Sequence, residues 1–379
     1  MANQSDTDKF APGQHPALPP PASQFGILAW LRNNLFSSWG NAVLTALALY
    51  LILLVVPPII QWAFIDAHFG EGDSRAVCEN ENGQIVGACW TMIRARFWQF
   101  MYGFYTVDQR WRVDVGLVLF FVPLIALLID RVPGKKFIAI FLFGIYPFIS
   151  FWLFYGGFGG LPEVETRLWG GLFLTILLGA VGIIFSLPLG IILALGRRSD
   201  LPGIRLICTG FIELTRAVPL ITVLFMASVM LPLFLPEGMT FDKLLRAMIG
   251  IALFGAAYMA EVVRGGLQAI PRGQYEGAMA MGLGYWQMTG LIIMPQALRI
   301  VIPGIVNTFI GLFKDTTLVI VIGLFELLNI VQAAFRDANW AGLSKEGYTF
   351  VAVVFFLFCF SMSRYSVYLE RKLRTGHKR

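Results

Sequence analysis

Charge is what this chain has least of. Among its 379 residues only 14% are Asp, Glu, Lys or Arg, where a soluble domain carries about 25%. The shortage runs along the whole sequence, and 43–60, 116–129 and 349–360 hold almost no ionisable side chain. Such runs exclude a soluble globular domain and call for a hydrocarbon solvent. Histidine is also scarce: His15, His68 and His377 are scattered through tails and loops. No metal site and no histidine-based catalytic centre is in view. A phosphate-cradling Gly-rich loop is missing as well. In the one Gly-Lys pair, Gly134–Lys135, Ile129 takes the first Gly position and Lys136 the Ser/Thr. Nucleotide binding by this chain is therefore not expected, and neither is catalysis. Residues 1–24 are polar and Pro-rich, with no apolar core of a cleaved signal peptide.

What remains is 57% hydrophobic, with a mean hydropathy of +0.70. Each crossing of a bilayer needs about 20 apolar residues. The runs 42–65, 115–132, 137–156, 169–195, 217–235, 245–263, 297–322 and 348–367 qualify. They predict an all-α polytopic membrane protein of about eight transmembrane helices, because an open sheet cannot satisfy its backbone in lipid. An even number puts both termini on one side. Arg131, Lys135 and Lys136, then Arg197, Arg198, Arg205 and Arg216, then Arg371, Lys372, Arg374, Lys378 and Arg379 all share a face if the N-terminus is cytoplasmic. The positive-inside rule then agrees. Net charge is +6 and the sequence pI about 9.2, but no basic stretch is interleaved with aromatics on a soluble domain, so nucleic acid is not an expected partner.

Segment 66–114 is the exception to the charge rule. It carries Arg75, Arg94, Arg96, Arg110 and Arg112 yet falls outside, among seven acidic residues; long loops translocate largely regardless of charge. Its Trp90, Trp98, Phe100, Tyr102, Phe104, Tyr105 and Trp111 suit either a segment resting on the outer membrane interface or a small aromatic cap. Cys78 and Cys89 lie close together in this loop. In an oxidising compartment a disulfide is the natural reading; two unrelated small residues are the plain alternative. The organisation expected is a leader over 1–41, a three-helix extension over 42–164, a five-helix core over 165–370 and a basic tail over 371–379. No internal repeat shows in the core, against the paired repeats common in secondary transporters.

The densest signal is the polar, Gly-punctuated loop 265–296. Residues 274–281 have the composition of a short helix, Gly282 and Gly284 permit positive φ, and 285–294 turns apolar again up to Pro295. A short helix on the cytoplasmic face offers its ridge to a groove on another protein. Glu276, Ala278, Gly282, Ile292 and Pro295 are similar in spacing to the Glu-Ala-Ala coupling signature of ABC importer permeases. The chain departs from it at Gly277, where the family has Ala, and at Met294, where it has Leu. Gly277 loosens the helix by roughly 1 kcal/mol relative to Ala. The run Glu213 to Leu220, with Ala217 for Gly, resembles the polar amino-acid permeases. So do the run Ala257 to Gly265 and the series Pro295, Gln296, Ala297, Arg299, Pro303, Asn307 and Lys314 to Leu318. The resemblance covers roughly 168–368. The added helices and long loop resemble the extended permeases for glutamate, glutamine, aspartate and asparagine or for a broad range of L-amino acids.

That resemblance implies a permease subunit of the bacterial inner membrane with no cofactor of its own. ATP and Mg would sit on two copies of a partner ATP-binding subunit, docked on the coupling loop. A second homologous permease subunit and a periplasmic amino-acid-binding protein would complete the importer. An ion-coupled secondary amino-acid transporter is the rival, but it needs facing intramembrane carboxylates, and only Asp315 lies clearly within a span.

Several charges fall in or beside spans. Glu261 and Arg264 can pair on one helix face, as a structural ion pair or as a substrate contact. Glu213 and Arg216 repeat that spacing and read as anchors or a gate. Lys314, Asp315 and Thr316 stand inside a span, where ionisable groups are costly. Two readings stay open there: a lining of the substrate passage, or a salt bridge locking a kink around Gly311.

Overall fold

The structure, a computed structural model, describes residues 26–236 and 241–374. The Pro-rich leader with His15, and His377, Lys378 and Arg379 of the tail, lie outside the described residues. Those described form two compact units, 26–68 with 80–88 and 69–79 with 89–374.

The first unit holds α1 (Gly26–Asn34) and α2 (Trp39–Ile60). Ser38 caps α2, its hydroxyl accepting from the Asn41 N–H at 3.2 Å. Pro57 and Pro58 lie inside α2 and withhold two backbone donors. The helix then loosens into one π-helical turn, Gln61–Ile65, which extends the apolar span to 27 residues.

The second unit opens with the short helices α3 (Thr91–Ala95) and α4 (Phe97–Tyr102) of the long loop. Next come α5 (Arg110–Leu128), and α6 (Lys135–Ile140) joined to α7 (Tyr146–Tyr155) through a π-helical turn as one span. The core follows with α8 (Gly171–Arg197), α9 (Pro202–Ala217), α10 (Leu220–Phe225) and α11 (Lys243–Ala269). After these come α12 (Arg272–Ala280), α13 (Tyr285–Met288), α14 (Met294–Ile300) and α15 (Ile302–Asp315). The two-residue strand β1 (Phe325–Glu326), α16 (Leu327–Ala334) and α17 (Ser344–Arg374) complete it.

Seven helices among the described residues are long and apolar enough to cross a membrane. The apolar segment expected at 217–235 is present and, taken with α9 as one broken span, would make an eighth. It runs only over Leu220–Phe234 and meets α9 at 105°. The bend sits at Val218–Pro219, both extended. A residue before proline is pushed out of the helical region, and Pro219 has no N–H to continue α9. Arg205, Glu213 and Arg216 interrupt the apolar pattern of α9, so hydropathy alone does not mark it as a span. The sixth span reaches from Lys243 to Ala269, longer at both ends than 245–263. The seventh begins at Ile302 rather than 297, since 294–300 forms the separate α14.

Small residues let α8 and α11 approach closely, as helices do in lipid. At Gly190 an added Cβ would stand 2.7 Å from the Met259 Cβ. One core cluster runs across residue 165, packing Tyr105, Val113 and Phe154 against Trp169, Phe173, Leu174 and Leu178. The Phe154 and Phe173 rings meet edge to face at 4.8 Å. Arg112 is fully buried beside them. It bonds to Gln109 Oε1 at 2.7 Å, Pro162 O at 2.8 Å and Leu153 O at 3.4 Å, so its desolvated guanidinium is satisfied by neutral acceptors.

Cys78 and Cys89 are joined by a disulfide. The loop around them is tied to the segment between α16 and α17. Arg75 donates to Ala341 O at 2.8 Å, Arg96 pairs with Asp337 at 2.7 Å, and Cys89 N–H bonds to Glu346 at 3.2 Å. The loop aromatics divide: Phe100, Tyr102 and Tyr105 are buried, while Trp98, Phe104 and Trp111 are exposed. Burial pushes the phenols of Tyr102 and Tyr105 up to about 12, with the Asp114 hydrogen bond adding to the rise at Tyr102.

Candidate functional site

The loop after α11 is built as a stem with an exposed head. α11 ends at Ala269, Pro271 precedes the nine-residue α12, and α12 stops at Gly282. Gly282 has φ +73°, and the closing bonds run from Gly282 N–H to Met279 O at 2.9 Å and from Leu283 N–H to Ala278 O at 3.2 Å. This is the glycine-capped C-terminus that only a residue free of Cβ adopts cheaply. Gly284 has φ −69° and instead precedes α13, so the turn rests on Gly282 alone.

α12 has two faces. Ala278 is 2% exposed and packs with Leu267, Ile270, Met288 and Ile293. Glu276 and Gly277 point outward, and a Cβ at Gly277 would meet open space. Beside them Met279, Met281 (80% exposed), Tyr285 and Trp286 (74% exposed) extend an apolar surface. Ile292 and Pro295 lie on the return path: Ile292 is half-buried and packs on the same cluster, Pro295 is exposed, and Gln296 Nε2 donates to Ile292 O at 2.8 Å and to Gln274 Oε1 at 3.0 Å. The loop is thus held by its small and branched residues and presents its large ones.

Next to the loop, five charges from three helices meet. Glu261 of α11, its side chain 17% exposed, accepts from Arg197 at 2.5 Å, from Arg264 at 2.8 Å and faces Arg216 at 3.7 Å. Arg197 also pairs with Glu213 at 2.8 Å. The expected Glu261–Arg264 pair is therefore part of a larger cluster. Glu213 and Arg216, spaced for each other on α9, instead bond to different partners, because α9 lies against both α8 and α11. The Arg216 guanidinium also rests over the Tyr258 ring at 5.7 Å. Arg197, at the last position of α8, counts in the sequence only as an orienting charge; nothing local marks it as the bridge between two glutamates.

Lys314, Asp315 and Thr316 do not converge. α15 runs unbroken through Gly311 and tightens to a 3-10 helix at Thr316. Thr316 is fully buried, its hydroxyl donating to Phe313 O at 2.7 Å. Lys314 is exposed and Asp315 half-buried. Among the described residues neither takes part in an ion pair, so no salt bridge locks a kink at Gly311.

The site is thus a glycine-capped, surface-presenting helix between two spans of a polytopic helical core. Residues 186–375 match the family of binding-protein-dependent transport system inner membrane components. The inner membrane amino-acid ABC transporter permease protein YhdY of Escherichia coli K12 is 53% identical over 96% of this chain and 97% of its own length. The glutamate/glutamine/aspartate/asparagine transport system permease protein BztC of Rhodobacter capsulatus is 43% identical over 95% of this chain and 96% of its own. The glutamate/aspartate import permease protein GltK of Escherichia coli O6:H1 is 31% identical over only 53% of this chain, though over 91% of its own length. The crystal structure of an amino acid ABC transporter with histidines covers 53% of the chain at 27% identity, with a TM-score of 0.48. The chain belongs to the family of inner membrane components of binding-protein-dependent transport systems, the permease subunits of ABC importers.

Proposed function

We propose that this chain forms part of the passage by which a bacterium imports acidic and amide amino acids, energised by ATP hydrolysis on separate subunits. The observation that carries the reading is the two-faced α12. Its buried Ala278 fixes it to the permease, while Glu276, Met279, Met281, Tyr285 and Trp286 are left exposed for a partner. Two ATP-binding subunits supply that partner, one for this chain and one for a second, homologous permease subunit. A periplasmic amino-acid-binding protein delivers substrate to the opposite face, where the disulfide-bearing loop lies. Both termini are cytoplasmic, in keeping with the positive charge of the loops at the α12 end. The chain itself holds neither ATP nor a metal.

The substrate class follows from the extended relatives, whose full length this chain matches and one of which is named for glutamate, glutamine, aspartate and asparagine. Lys314 and Asp315 are the charges offered to a zwitterion within the span; Lys314, exposed and outside the ion pairs, suits the carboxylates of acidic substrates. Thr316 supports them by shaping the helix rather than by contact.

Purification of the detergent-solubilised chain from native membranes tests the reading. An ATP-binding subunit is expected to travel with the unaltered chain and to be lost with Glu276→Lys or Gly282→Asp. Absence of any such subunit after mild cross-linking of the unaltered chain overturns it.

A further inference from the structure

α12 is joined to the rest of the chain by few polar groups. Among the described residues its side chains tie outward through Gln274, to Gln296 of α14, and through Tyr275. Tyr275 is the better placed to transmit movement. Its hydroxyl donates to Leu267 O near the end of α11 at 3.2 Å, and accepts from Arg198 Nη1 at 3.2 Å. The Arg198 guanidinium also lies 5.7 Å from the Tyr275 ring centre. Arg198 immediately follows the last residue of α8, Arg197. Arg197 holds Glu213 on α9 with one nitrogen and Glu261 on α11 with another. The end of α8 is pressed on α9 besides, since an added Cβ at Gly196 would stand 2.4 Å from Cys208 Sγ.

We infer that the adjacent Arg197 and Arg198 form a relay, in which Tyr275 passes displacement of α12 to the end of α8 and Arg197 there releases or closes a latch on α9 and α11. The inference rests on α12 being the face that engages the ATP-binding subunit. The two arginines share one stretch of backbone at a helix terminus, so a pull on one shifts the other. The cluster has the composition of a two-position element: three guanidinium groups share two carboxylates, and Glu261 carries most of the bonds. Withdrawal of Arg197 leaves Glu261 with Arg264 and Arg216, while Glu213 on α9 is freed. That frees α9 from the end of α8, while Arg216 keeps it on Glu261 of α11, without stranding a buried carboxylate. Tyr275, Arg198 and Arg197 are positioning residues; none of them needs to touch substrate.

The test is the complete importer with its binding protein, reconstituted in liposomes, with ATP hydrolysed per amino acid imported as the readout. Tyr275→Phe keeps the ring and removes only the hydroxyl; Arg198→Gln removes the charge. Each is expected to retain the ATP-binding subunit and to raise hydrolysis per amino acid imported at least about fivefold, the low end of common coupling effects. Arg198→Lys should restore part of the ratio. Glu213→Gln added to Tyr275→Phe should cost little more than Tyr275→Phe alone, because both lie on one path. A ratio within about twofold of the parent in both single variants overturns the relay. Loss of the ATP-binding subunit from them does so too, since Tyr275 would then only shape the docking face. A parent complex without ATP-dependent uptake removes the importer reading itself, which separates that failure from failure of the relay.

Discussion

Gly277 and Gly282 stand in the same short loop and meet opposite conditions. Gly277 lies within α12 with open space where a Cβ would go. Gly277→Ala is therefore expected to stabilise α12 by up to about 1 kcal/mol through helix propensity. Gly282 holds φ +73° with open space around it, so its Ala variant suffers from backbone strain alone, about 1–2 kcal/mol. Co-purification of the ATP-binding subunit with both variants checks the pair. Gly277→Ala should retain at least the parental amount, and Gly282→Ala should retain less.

At the scale of elements, Glu326 joins β1 and α16 to α8. It is fully buried and caps α16, accepting from the N–H groups of Leu328 and Asn329 at 3.0 Å each. The Thr175 hydroxyl of α8 lies 3.2 Å from its carboxylate. Burial pushes the Glu326 carboxyl from its ordinary 4.5 up to about 7, although the helix N–H groups and Thr175 pull it down. The folded chain thus keeps this proton to about pH 7, whereas the unfolded chain releases it near 4.5. Between those values the folded form binds more protons, so this group lowers stability as pH rises through the window. Glu326→Gln removes the titration while keeping an acceptor for the cap. Thermal unfolding of the solubilised protein at about pH 5 and about pH 7.5 should show a smaller decline with pH in the variant than in the parent.

For the whole molecule, the second and third spans share a core with the helices that follow. Phe154 and Tyr105 close on Phe173, and Arg112 braces the loop at Pro162. A chain shortened to begin at residue 165 leaves Trp169, Phe173 and Leu174 without these neighbours. It is expected to accumulate in membranes far below the level of the full chain, as immunoblots of membrane fractions would show. Equal accumulation would mean that the packing across residue 165 is dispensable.

Hydropathy placed seven of the spans, with ends off by as much as about eight residues, because the cost of exposing polar groups to lipid acts on each segment separately. Local chemistry likewise reached the short helix at 274–281 and the turn at Gly282, since a helix terminus and a positive φ are set by neighbours in sequence. The fifth segment was legible as apolar, but its 105° angle to α9 was not, although Pro219 carried the signal. The partners of Glu213, Arg216 and Glu261 were not legible. The local spacing pairs Glu213 with Arg216, yet the crossing of α8, α9 and α11 brings Arg197 nearer to Glu213 and Glu261 nearer to Arg216. The division of aromatics in the long loop has the same origin. Partition into lipid is a sum over each segment's own residues, whereas ion pairing and burial depend on which surfaces distant segments bring together.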